Sequence, residues 1–253
     1  MAFLDTYNKA WLVARYLPGI PLTDPTGTAL PDSFFTEQLA TALAWLESTF
    51  NIVVDPVTVT DEKHDDTRLR YGPPNFAPFD LRVRPVRTLT ALSGKWGNNS
   101  QVEYPVDWCL KCGKDSPDPD LTGQVELIPT PEGMATLNSY TALAIGQYGV
   151  APCWWRWSYT AGWALATDVP AEIPAMVGLY ASIQILAYIG SYIGGLGVTS
   201  ESGGQDGLNT SVSYAKSGTN HALVGLSAAN QLRLDGMVAQ FAGKYRRPRT
   251  MVL

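Results

Sequence analysis

This chain is short of charge. Only 16% of its 253 residues are Asp, Glu, Lys or Arg, against roughly 25% in ordinary soluble domains. So thinly charged a surface has few groups to solvate it, which fits either extensive subunit contact or a compact monomer with many neutral polar residues. A basic excess is missing too: 18 Lys and Arg stand against 23 Asp and Glu, a formal net charge of −5. Neutralising phosphates takes a basic face, so general nucleic-acid binding is disfavoured. The one basic cluster is Lys244, Arg246, Arg247 and Arg249, at the very end.

Cysteine and histidine are scarce. Cys109, Cys112 and Cys153 are an odd set of thiols, which argues for a reducing compartment. Cys109-Leu110-Lys111-Cys112 is a single CxxC, and a structural zinc needs two further ligands. His64 and His221 stand alone, so no metal and no cofactor are expected. The N-terminus lacks a basic start followed by an apolar run, so no signal peptide is expected.

Signatures of catalysis are missing as well. There is no G-x-S-x-G elbow and no H-E-x-x-H. Gly225-Leu226-Ser227-Ala228-Ala229 resembles an elbow only loosely and falls within a helical pattern. Gly194-Gly195-Leu196-Gly197 has neither the spacing nor the lysine of a phosphate loop. Asp115, Asp118 and Asp120 alternate with Pro117 and Pro119, where a calcium loop needs a glycine turn, so a solvated acidic loop is expected. Asp61, Glu62, Asp65 and Asp66 lie among Lys63, His64 and Arg68. That mixture reads as a solvated or salt-bridged strand end rather than a catalytic carboxylate pair. No enzyme is expected.

What is present is apolar and aromatic, with eight Trp and twelve Tyr. Residues 5–17 read as a short helix ended by Pro18-Gly19, and 18–31 as a loop. A helix is predicted from Asp32 or Ser33 to Phe50, because Phe35, Leu39, Leu43, Leu46 and Phe50 recur at three- and four-residue steps. Residues 51–165 change character. Pro, Gly and Asn punctuate short β-rich runs at 52–60, 81–92, 101–110, 123–129 and 149–159. In the last, Cys153, Trp155, Trp157 and Tyr159 alternate with Trp154, Arg156 and Ser158, as in a strand with one face on a core. A small sandwich or barrel is predicted here. The tryptophans admit another reading, a carbohydrate-binding module stacking sugars on Trp154, Trp155, Trp157 and Trp163, although alternating Trp in a strand more often marks core or interface.

After Tyr159-Thr160-Ala161-Gly162-Trp163 a helix is predicted from Ile173, with Pro174 tolerable only in its first turn. Residues 175–193 carry no charge. A helix with no polar stripe must bury its sides in a core, a partner or lipid. Gln184, Ser182 and Ser191 dilute its hydrophobicity, and neither end has the Lys/Arg flank that orients a membrane span. Burial against protein is therefore expected, with Gly178, Ala181 and Ala187 allowing close approach. Gly194-Gly195 ends the helix. Residues 194–220, rich in Gly, Ser and Thr, read as a flexible loop or arm. A last helix is predicted over 221–243, with Leu223, Leu226, Leu234, Met237, Val238 and Phe241 as its apolar face. No repeat of fixed period is visible. The fold class is α+β: a helical body of 1–50 plus 166–253, with helices near 33–50, 173–193 and 221–243, and an all-β insert over about 52–165.

Several stretches taken in order carry a family resemblance. They are Leu30-Pro31-Asp32-Ser33 through Trp45-Leu46-Glu47 and Asn51-Ile52; His64-Asp65-Asp66; Leu81-Arg82-Val83-Arg84-Pro85-Val86; and Tyr159-Thr160-Ala161-Gly162-Trp163 with Val169-Pro170 and Ile173. Asp206-Gly207-Leu208 with Ser211, and Lys244-Tyr245-Arg246-Arg247-Pro248, complete the set. In this order the chain resembles the bacteriophage head–tail connector, or neck adaptor, proteins. The resemblance implies a structural virion protein that forms a ring, usually of twelve subunits, between head and tail. The ring docks beneath the portal protein and continues the DNA channel, with genomic DNA passing through without sequence-specific binding. It implies assembly in the host cytoplasm, tail or other neck proteins as further partners, and no membrane. Lys244, Tyr245, Arg246, Arg247 and Arg249 would dock on the portal. Met176, Tyr180, Ile183 and Ala187 of the charge-free helix would face a neighbouring subunit. A head-completion or tail-terminator protein is the related alternative.

Overall fold

The computed structural model describes residues 3–65, 78–95, 101–112, 119–127, 154–193, 198–205, 208–214 and 223–244. It is an α+β protein that divides into two compact units. One comprises residues 1–49 and 165–241, and the other is built on residues 50–164.

The first unit is organised by its helices: α1 (Phe3–Thr6), α2 (Lys9–Tyr16), α3 (Asp32–Phe50), α4 (Glu172–Ile193) and α5 (Val224–Lys244). The helix predicted over 5–17 is broken at Asn8. Its side-chain oxygen accepts hydrogen bonds from the amides of Ala10 and Trp11 and so starts α2, as an N-cap does. In α3 the three- and four-residue spacing buries Phe35, Leu39, Ala42, Leu43 and Leu46, whereas Phe50 is only half-buried. Asn51, at φ 52°, ends it in the left-handed conformation that Asn tolerates.

Helix α4, uncharged after Glu172, is the core of this unit. Ile173, Met176, Val177, Ala181, Ser182, Ile185, Leu186 and Ile189 are fully buried. It is long and apolar enough to cross a membrane by length and composition, yet 67% of that window is buried within the chain. Gly178 is a seat for α2: a Cβ there would stand 2.3 Å from a ring carbon of Tyr16 and 2.8 Å from one of Trp11. The Tyr16 hydroxyl donates to the Ala175 carbonyl at 3.4 Å. On α5, Asn230 is buried and donates to the Ser182 hydroxyl at 3.1 Å, and that hydroxyl in turn donates to the Leu179 carbonyl. The buried stripe of α5 therefore runs through Asn230, Leu234 and Phe241, with Leu223, Met237 and Val238 half-buried. Leu226 is not on it. It is 40% exposed.

The stretch predicted as a loop or arm over 194–220 contains an antiparallel hairpin, β8 (Val198–Gln205) and β9 (Leu208–Tyr214). Its sequence, rich in Gly, Ser and Thr, lacks the apolar–polar alternation by which strands are read.

The second unit contains β1 (Val57–Asp65), β2 (Pro78–Asp80), β3 (Val86–Lys95), β4 (Gln101–Tyr104), β5 (Cys109–Cys112), β6 (Gln124–Leu127) and β7 (Trp154–Ala161). All pairings are antiparallel, in one sheet of order β1-β7-β3-β4 and another of order β2-β6-β5. The predicted alternation in β7 holds: Trp155, Trp157, Tyr159 and Ala161 are buried, while Trp154, Arg156 and Ser158 are half-exposed. Phe79 of the second sheet packs against Trp155 and Trp157 of the first, with ring centres 5.4 and 5.1 Å away. One core joins the two sheets as a small sandwich. The strand predicted at 52–60 is displaced to 57–65, and that at 101–110 is split by a 3-10 turn over Val106–Trp108.

The turn after β7 depends on Gly162. Its φ is +86°, its amide donates to the Pro85 carbonyl, and a Cβ would lie 2.3 Å from the Asp55 carbonyl oxygen. The amide of Trp163 donates to the Val54 carbonyl.

Candidate functional site

Three groups of side chains are organised enough to be sites. The acidic run is the first. Asp61 adopts φ 53° at a bulge in β1, where the pairing with β7 slips between Val59 and Glu62, and its amide donates to the Ser158 hydroxyl. The extra residue turns Glu62 inward. Glu62 is buried and both its carboxylate oxygens are engaged. Oε1 meets Nε2 of His64 at 2.6 Å and accepts from the Arg82 amide at 2.9 Å. Oε2 accepts from the Tyr159 hydroxyl, which itself accepts from the Val83 amide. Burial opposes ionisation of Glu62, but hydrogen bonds from His64, Tyr159 and the Arg82 amide outweigh it and hold the carboxyl below its usual range. Burial, with Glu62 second, pushes the Tyr159 hydroxyl well above its usual value. This cluster pins β1, β7 and the 82–83 segment together. Glu62 is buried against His64 and so is not the solvated residue that was one expectation for this run. The side chain of Asp65, and Asp66 entirely, lie outside the described residues.

The second group centres on Asp120. Its two oxygens take Arg87 and Lys111, each at 2.8 Å. The Arg87 guanidinium also lies over the Trp163 ring, 5.1 Å from its centre. A carboxylate clamped by two cations is no calcium ligand. It is not a freely solvated loop residue either, as it was expected to be. Asp115 and Asp118 lie outside the described residues. Cys109 and Cys112 open and close β5, and the side chain of Cys112 lies outside the described residues. Burial pushes the Cys109 thiol up to about 12. Among the described residues no cluster of metal-binding side chains occurs.

The third group is a surface. Beyond the first turn of α4, where Glu172 and Ala175 are half-buried, the described residues with remaining exposure are Tyr180, Ile183, Gln184, Ala187, Tyr188 and Ser191. They recur at three- and four-residue steps and form one stripe. Alongside runs the outer edge of antiparallel α3. Trp45 stacks on Tyr180 with ring centres 4.4 Å apart, and Phe34 meets Tyr188 at 4.9 Å. Gln38 and Thr41 lie between Phe34 and Trp45 on α3. The combined face is rich in aromatics and uncharged at its centre, with the exposed Glu37 at its rim one turn from Phe34 and Thr41, whereas surface helices normally turn charge outward.

Of the residues expected at a subunit contact, Tyr180, Ile183 and Ala187 lie on this face, half-buried. Met176 is fully buried within its own chain and offers no area to a neighbour. Trp45, Phe34 and Tyr188 join the face although the sequence reading did not select them. Their signal was the eleven-residue interval from Phe34 to Trp45, one full seven-plus-four helical step beside the core stripe. Lys244 is the last residue of α5, and Tyr245, Arg246, Arg247 and Arg249 lie outside the described residues.

No protein-family model matches the chain, and no curated protein matches it. Two similar solved structures come from phage-like particles. A chain in "Neck of empty GTA particle computed with C6 symmetry" is 18% identical, over 72% of this chain and 79% of that one, with a TM-score of 0.36. A chain in "Virion of native gene transfer agent (GTA) particle" is 17% identical over the same shares, with a TM-score of 0.37. TM-scores this low do not establish a shared fold.

Proposed function

We propose that this chain is a structural protein of a tailed-phage neck: a head-to-tail adaptor whose copies form a ring below the portal and carry the DNA channel towards the tail. The observation that carries the reading is the aromatic face of α3 and α4, uncharged at its centre. A ring subunit must bury surface against a neighbour on each side. A face of Phe34, Trp45, Tyr180, Ile183, Ala187 and Tyr188 suits that need better than it suits water. The ordered stretches that resemble neck adaptors support the same reading, as does the low charge of the whole chain.

In this reading the ring has about twelve copies, and residues 244–249 reach the portal. The β-sandwich unit meets the tail or other neck proteins. A conduit must let DNA slide, and every cation that neutralises a phosphate adds friction. An acidic chain is suited to that passage. The role is architectural rather than catalytic: the carboxylates of Glu62 and Asp120 are both committed to internal partners.

The carbohydrate-binding alternative loses most of its platform. Trp155, Trp157 and Trp163 are at most 3% exposed, and a sugar needs an open ring face. The test is electron microscopy of the full chain mixed with purified portal rings. A second ring stacked on the portal is expected. Portal rings that stay bare at saturating protein would refute the adaptor role.

A further inference from the structure

We draw no further inference here: the strongest candidate, the antiparallel hairpin of β8 and β9, pairs with no third strand among the described residues, and nothing in the structure shows what covers its edges.

Discussion

The indole of Trp45 on α3 lies nearly parallel to the ring of Tyr180 on α4, 18° from coplanar with centres 4.4 Å apart. The pair ties the two helices together and, being half-buried, also forms part of their shared surface. Trp45→Ala should destabilise the helical unit by about 2 kcal/mol. A double-mutant cycle with Tyr180→Ala in urea unfolding should show a coupling of about 1 kcal/mol. Additive losses would mean that the rings only touch.

Gly162 and Gly236 should respond oppositely to alanine. Gly162→Ala forces a Cβ within 2.3 Å of the Asp55 carbonyl at a φ of +86°, and should cost more than about 2 kcal/mol. Gly236→Ala fills open space in a helix and should raise the stability of the free chain by up to about 1 kcal/mol. Thermal unfolding of the two variants checks the pair, and equal effects would contradict the geometry described for the turn.

Gly178→Leu should release α2 without unfolding α3 and α4. Even a Cβ there meets the Tyr16 and Trp11 rings at 2.3 and 2.8 Å, so a full side chain displaces them. Tryptophan emission should shift to the red as Trp11 enters water, and hydrogen exchange should quicken over residues 9–16. Unchanged exchange in that segment would show that α2 has room to adjust.

The β-unit should lose stability at both ends of the pH scale. The folded-state pKa of Glu62 is depressed. Its contribution is therefore present above the ordinary carboxylate pKa of about 4.3 and is lost as pH falls through the lower folded value. The folded-state pKa of Tyr159 is raised, so its contribution holds below about 10 and is lost as pH rises through the folded value. Glu62→Gln should flatten the acid limb. Urea midpoints measured from pH 2 to pH 11 on parent and variant test this, and identical acid limbs would remove Glu62 from the account.

Deleting residues 245–253 should leave thermal unfolding within about 0.5 kcal/mol of the parent, as loss of a terminal segment ordinarily does. It should also weaken retention on immobilised portal rings. Undiminished retention would take the docking role away from Tyr245, Arg246, Arg247 and Arg249.

Periodicity alone was enough to place the long elements. The stripe of Phe35, Leu39, Leu43 and Leu46, the alternation of Trp155, Trp157 and Tyr159, and the charge-free run after Pro174 each reflect one local rule: side chains repeat with the backbone's own geometry. Composition likewise showed that this chain has little charge to spend on a free surface. Neighbours that are distant in sequence decided the rest. The bulge at Asp61 turned Glu62 into the core, and the hydroxyl of Ser182 gave Asn230 a partner that lets a polar residue sit in the buried stripe of α5. Whether the charge-free run hides in its own chain or against others had a divided answer. Met176, Val177 and Ile185 are buried within the chain, while the stripe from Tyr180 to Ser191 keeps part of its surface exposed. A helix has about 360° of side chains, and only the packed structure determines how much of that circle its neighbours can cover.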